Sequence, residues 1–84
     1  MNVLELQDNT GKTITPCQLG AYVHSQYESL SAYQIAKALN IDTMSENLAS
    51  IEDMLIEAFD NLPGSRFVWC VVNGARMFYH QKSF

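Results

Sequence analysis

The chain has 84 residues, 48% of them hydrophobic, with nine acidic and five basic side chains and a formal net charge of −4. That length allows one domain, residues 1–84, with a thin core, and that charge excludes strong nonspecific attraction to phosphate backbones. A charged fraction of 17% lies far from disordered compositions, and no apolar run approaches the roughly 18 residues of a membrane span.

The start, Met1-Asn2-Val3-Leu4-Glu5, has neither a basic region nor an apolar stretch of signal-peptide type, so a cytoplasmic protein without membrane contact is expected. Val3-Leu4-Glu5-Leu6-Gln7 reads as a short strand, Asp8-Asn9-Thr10-Gly11 as a turn and Lys12-Thr13-Ile14-Thr15 as a return strand. Thr15-Pro16-Cys17-Gln18 is then a capping box. The Thr hydroxyl accepts from the third following backbone N–H and the Gln side chain reaches back to the N–H of Thr15. A first helix is expected over about Pro16 to Tyr27, with Pro16 where its missing N–H costs nothing and Ile14 stapled to Leu19. Leu19, Val23 and either Gln26 or Tyr27 mark its inward stripe, with Tyr22 beside them.

The same box recurs as Ser31-Ala32-Tyr33-Gln34, again flanked by a staple pair, Leu30 and Ile35. Ala32, Ile35, Ala36 and Leu39 give the second helix a narrow apolar face, and Asn40 suits the left-handed residue that ends it. A third box, Thr43-Met44-Ser45-Glu46, opens the longest helix. Its stripe is Met44, Leu48, Ile51, Leu55, Ala58 and Leu62, widened by Met54 and Phe59 and stopped by Pro63-Gly64.

Beyond that point the chain is β-prone and folds back on Asn73-Gly74, the dipeptide that best tolerates the positive φ angles of a two-residue hairpin turn. This sets a register. Val72 faces Ala75, Cys70 faces Met77 and Val68 faces Tyr79 on one side; Val71 faces Arg76, Trp69 faces Phe78 and Phe67 faces His80 on the other. Both faces are largely apolar, so a cover for the second is expected, either the N-terminal strand or another copy of the chain.

Charge is unevenly spread along this plan. From Glu28 to Asp60 the acids are Glu28, Asp42, Glu46, Glu52, Asp53, Glu57 and Asp60, against Lys37 alone. From Ser65 to Phe84 there is no acid, while Arg66, Arg76, His80 and Lys82 are present. Helices two and three are acidic and the hairpin is the basic end.

The segment from Ser31 to Ile41 resembles the first half of a helix-turn-helix: Ala36 stands at the close approach of the two helices, Asn40 at the usual glycine of the turn, and Ile35, Leu39 and Ile41 point inward. The usual next inward residue, five beyond Ile41, is Glu46 here; the apolar positions are Leu48 and Ile51, a turn two residues longer. With the Asn-Gly hairpin, the chain is similar to the short winged-helix regulators of the enterobacterial fimbrial and CaiF/GrlA-like families. The resemblance covers Thr15 to Gln81 in order of elements and Ser31 to Ile51 in residue pattern. It implies an α+β winged helix-turn-helix, with three helices followed by a C-terminal β-hairpin, acting as a small DNA-binding transcriptional regulator. On that plan Asn47 and Ser50 face base edges, Lys37, Arg66 and Arg76 hold phosphates, and the Asn73-Gly74 tip touches the backbone or minor groove. The outward residues of the third helix oppose it, because Glu52 and Asp53 repel phosphate; the complex is expected to be weak, aided by dimerisation or a partner.

The rival reading is a protein-interaction adaptor or inhibitor that uses the acidic face of Glu52, Asp53 and Glu57, with any exposed remainder of the aromatic set, Trp69 and Phe78 above all, joining the interface. Phe67, Trp69, Phe78, Tyr79 and Phe84 also have the composition of a stacking platform for single strands, but core packing explains them more simply. Gly11-Lys12-Thr13 imitates the end of a phosphate loop whose earlier glycine position holds Leu6. Cys17 and His24, two turns apart, outline an activated thiol without a third orienting group, so no enzyme is expected. Cys17 and Cys70 lack C-x-x-C or Cys/His ligand spacing, which points to buried free thiols, no metal site and no cofactor.

Overall fold

A computed structural model describes residues 6–62 and 64–82. In chain order the elements are α1 (Pro16–Ser25), β1 (Leu30–Ser31), α2 (Ala32–Ala38), α3 (Ser45–Asp60), β2 (Phe67–Val72) and β3 (Ala75–His80). The fold is α+β, three helices on a three-stranded antiparallel sheet of order β1-β3-β2, a layout compatible with a winged helix.

Two of the three capping boxes close as written. The Gln18 backbone N–H donates to the Thr15 hydroxyl (3.3 Å) while the Thr15 N–H donates to Gln18 Oε1 (2.8 Å), and Ser31 and Gln34 repeat the pattern at 3.3 and 2.8 Å. The third does not form. The N-cap of α3 is Met44, one residue later than expected, and it makes no side-chain cap hydrogen bond. Thr43 is thereby out of register. The α3 rotation is set by Ile51, Leu55 and Phe59, all buried, and Phe59 stacks on Phe67 (centroids 4.8 Å) and meets Phe78 edge-on (5.9 Å). The hairpin aromatics draw that side of the helix inward, so the stripe runs through Phe59, and Met44 and Leu62 lie about half exposed.

Helix α1 stops two residues short of the expected end. Gln26 caps it in an extended conformation, and Tyr27 points outward at 83% exposure. Helix α2 ends as read: Asn40 takes φ 60°, the Ile41 N–H donates to the Ala36 carbonyl (2.8 Å), and Ile41 drops into the core. This is the six-to-one bond of a Schellman turn, with Asn supplying the left-handed residue.

The hairpin register is the one set by Asn73-Gly74, whose φ angles of 52° and 81° define a type I′ turn. The third strand is β1, absent from the sequence reading because Leu30-Ser31 is only two residues long and doubles as the entry to α2. It pairs Leu30 with Phe78 and Ser31 with Met77, extending the sheet sideways. Phe78 therefore lies between Leu30 and Trp69 and is fully buried. The opposite face, with Val68, Cys70, Met77 and Tyr79, has no residue in the buried core.

The N-terminal turn lies elsewhere. Gln7 bridges Thr13, Leu6 and Ile14 join the core, and the Asn9 N–H donates to the Asn40 carbonyl (2.8 Å), so the described part of this segment packs at the end of α2 instead of covering the sheet. Val3, Leu4 and Glu5 of the expected first strand lie outside the described residues.

Candidate nucleic-acid interface

The hairpin tip and α3 share one surface. Val71 and Arg76 are a cross-strand pair on the side of the sheet that faces the helices, and Arg76 Nη1 reaches Glu52 Oε1 on α3 at 3.3 Å while its guanidinium lies 6.0 Å from the Trp69 ring. The pair is partly exposed, so water and salt screen it, and it is worth well under about 1 kcal/mol. Its consequence is positional. Arg76, expected to hold phosphate, is held instead by one of the acids expected to repel phosphate.

Asn47 and Ser50 lie half-buried in the first half of α3. Asn47 Nδ2 donates to the Asp42 carbonyl (2.9 Å), so one of its donors fastens the connection between α2 and α3 where a side-chain cap is missing. Lys37 sits in the last turn of α2, 5.7 Å from the centroid of the Tyr33 ring, beside a polar recess lined by Asn9, Asn40, Asp42 and Thr43. Asn73 is exposed at the tip, whereas Arg66 lies at the open end of the hairpin, where its carbonyl accepts from the Gln81 N–H (2.8 Å). A six-residue strand, roughly 20 Å of chain, separates those two ends. The hairpin thus meets α3 through Arg76 and Glu52, close to Asn73, whereas Ser50 lies about 200° around α3 from Glu52, Asn47 is turned to the Asp42 carbonyl, and Arg66 lies apart at the open end.

The acids of α3 are spread around its exposed surface. Asp53 and Glu57 are exposed, Glu52 is half-exposed and bound to Arg76, and Asp60 accepts from Trp69 Nε1 at 3.3 Å. Of the two aromatics expected at an interface, Trp69 is half-buried against the core and Phe78 has no exposed surface. Phe78 is a core residue, because three strands and Phe59 close over it; in the hairpin the large apolar side chains left open are Val71 and Val72.

A second cluster lies at the open end of the sheet. The His24 and His80 rings meet edge-on at 4.5 Å, Phe67 packs against both, and Lys82 Nζ donates to the His24 carbonyl. His80 Nδ1 is buried without a hydrogen-bond partner. Burial first, then the positive charge of Lys82 and the neighbouring His24 and Arg66, hold the His80 pKa below the ordinary imidazole value. Cys17, expected in the core, is exposed on α1, since Leu19 and Val23 take the inward positions of that helix; Cys70 is half-buried on the outer sheet face. Both thiols are free.

A groove of about 540 Å³ runs between α1 and α3. Pro16, Cys17, Gly20, Ala21 and His24 form one wall, Ala58 and Leu62 the other, with Phe59 and Phe67 beneath. Sequence reading passed over it, although α1 carries neither an acid nor a Lys or Arg, a conspicuous gap in an acidic chain. Among the described residues no group of three or more His, Cys, Asp or Glu side chains is placed to hold a metal ion, and no helix is long and apolar enough to cross a membrane. No family model, curated protein or solved structure matches the chain.

Proposed function

We propose that the chain is a small transcriptional regulator of winged helix-turn-helix form, with α2 and α3 as the helix pair and the β2–β3 hairpin as the wing, that binds duplex DNA weakly alone and works as a dimer or with a partner. The observation that carries this reading is the shared surface of α3 and the hairpin tip, joined by Arg76 and Glu52. A recognition helix and a wing must lie side by side to engage a groove and its flanking backbone together. Asn47 and Ser50 face base edges, Asn73 meets the backbone or minor groove, Lys37 and Arg66 meet phosphates, and Arg76 does so by exchanging Glu52 for a phosphate.

Three cations set the strength. With about three phosphates neutralised, the logarithm of affinity falls with the logarithm of salt at a slope of roughly −3, against steeper slopes for regulators with more contacts. A mobility-shift titration on duplex fragments checks this. Retention at low salt that fades with that slope supports the reading, and no retention at low salt removes it.

The acids on the same surface favour a second reading, an adaptor whose Glu52, Asp53 and Glu57 engage a basic protein surface. Glu52→Lys with Asp53→Lys separates the two. Tighter DNA binding supports the regulator, while DNA binding unchanged from a null baseline, together with loss of a partner that the native chain retains, supports the adaptor.

A further inference from the structure

We infer that the chain pairs with a second copy of itself through the groove between α1 and α3, the two α1 helices crossing antiparallel about a two-fold axis at Gly20. Four features of this surface converge.

Among the described residues the groove has a floor and two low walls but no roof. Phe59 and Phe67 lie beneath, Leu62 stands about half exposed at its edge, and Pro16, Cys17 and Ala21 face solvent. Apolar surface of this kind gains by being covered.

The middle of the α1 wall, Cys17, Gly20 and Ala21, is built of small residues. A Cβ built on Gly20 meets nothing within 4 Å, so no described residue fills the space above the middle of the helix and another backbone can come close.

The face also lacks like charge. The chain carries nine acids, yet α1 contributes none, and among the described residues Glu57 is the one carboxylate that lines the recess where Pro16 meets α3. Two copies of an acidic protein meet most readily where their carboxylates are fewest.

Finally, the two ends of the surface complement each other. Glu57 lies by Pro16 at the start of α1, and Lys82 is bound to the His24 carbonyl at its end. Pro16 and His24 are equidistant in sequence from Gly20, so an antiparallel crossing centred there puts the Glu57 end of one copy against the Lys82 end of the other, twice over. A parallel arrangement would set Glu57 against Glu57. This orientation is thus selected by charge as well as by shape. The outer sheet face, with Val68, Cys70, Met77 and Tyr79, has Arg66 at its open end but no acid in β2 or β3 to oppose it across a two-fold axis.

The pairing stands on the groove alone; a chain that fails to bind DNA but dimerises here loses the regulator reading and keeps this one. Sedimentation equilibrium across a concentration series measures it. The native chain is expected to dimerise, and Gly20→Arg to weaken the dimer by at least about tenfold while leaving circular dichroism and Tm unimpaired, because the new side chain leaves the chain's own packing untouched and Arg is a better helix former than Gly. Glu57→Lys should weaken it as well, and Lys82→Glu added to Glu57→Lys should restore it. In a Cys17→Ser background, Gly20→Cys should give a disulfide-linked dimer on mild oxidation, since the two-fold axis brings the two thiols together. A monomer at every concentration overturns the inference, as does a dimer indifferent to Gly20→Arg but dissociated by Met77→Arg on the outer sheet face.

Discussion

His80 illustrates how a single residue acquires a role that its sequence position does not announce. The hairpin register places it opposite Phe67, which was legible from Asn73-Gly74, but the imidazole of His24 arrives from α1, a contact between elements far apart in the chain. Burial of Nδ1 without a partner, next to Lys82, His24 and Arg66, disfavours the protonated ring and lowers its pKa from the ordinary value of 6.5. The unfolded chain therefore binds a proton more readily than the folded one once pH falls below that value, and stability rises with pH across this window. Urea midpoints are expected to fall between pH 7.5 and pH 5, and His80→Phe should flatten that slope. Asp8 acts in a lower window. Its carboxylate accepts from the Thr10 hydroxyl (2.6 Å) and from the Thr10 and Lys12 N–H groups, with the Thr10 hydroxyl the largest influence lowering its pKa below 3.8. Its stabilisation is present above that value and is lost as pH falls through the folded pKa, so both groups weaken the fold in acid. Lone residues that depend on distant partners, such as Arg76 on Glu52, are those that the linear pattern hid.

Elements whose ends are specified by local chemistry were legible, and those placed by tertiary packing were less so. Thr15 and Ser31 cap α1 and α2 because both partners of each box lie within three residues, and Asn40 ends α2 because only its own φ angle is at stake. The start of α3 lies one residue beyond the Thr43 box, at a connection held by the Asn47 bond to the Asp42 carbonyl, and β1 escaped notice because a two-residue strand has no periodicity to read. The two kinds of start make opposite predictions. Ser31→Ala removes the hydroxyl acceptor of a closed box and should cost about 1 kcal/mol in denaturant unfolding. Met44→Ser should instead stabilise by up to about 1 kcal/mol, because Met44 is half exposed, already sits at φ −62° and ψ 151° as an N-cap requires, and leaves the first N–H groups of α3 without a side-chain acceptor. A Met44→Ser variant no more stable than the native chain would mean that Asn47 and the Asp42 carbonyl have fixed this turn in a shape a hydroxyl does not reach.

At the scale of the whole molecule, the layers meet at one ring. Phe78 pairs with Leu30 of β1 on one side and Trp69 of β2 on the other, and takes the edge of Phe59 from α3. Without it the sheet has no filled centre and loses one of its two aromatic contacts with the longest helix. Replacing a buried Phe by Ala removes the transfer energy of the ring and leaves a cavity that a small core cannot collapse, a loss of about 3–5 kcal/mol. A domain of this length has a total stability of roughly 4–12 kcal/mol at the usual 0.05–0.15 kcal/mol per residue. Phe78→Ala is therefore expected to remove from about a quarter to all of the folding free energy, seen as a large fall in the urea midpoint or as loss of the transition, together with loss of aromatic circular dichroism. Val72→Ala in the neighbouring strand is the contrast, since a side chain with half its surface in water should cost under about 1 kcal/mol. Comparable losses for the two would place the core away from the β1-β3-β2 sheet. The hierarchy also bears on α3 and the hairpin tip, because Arg76 and Glu52 are held side by side only as long as Phe59 and Phe78 are.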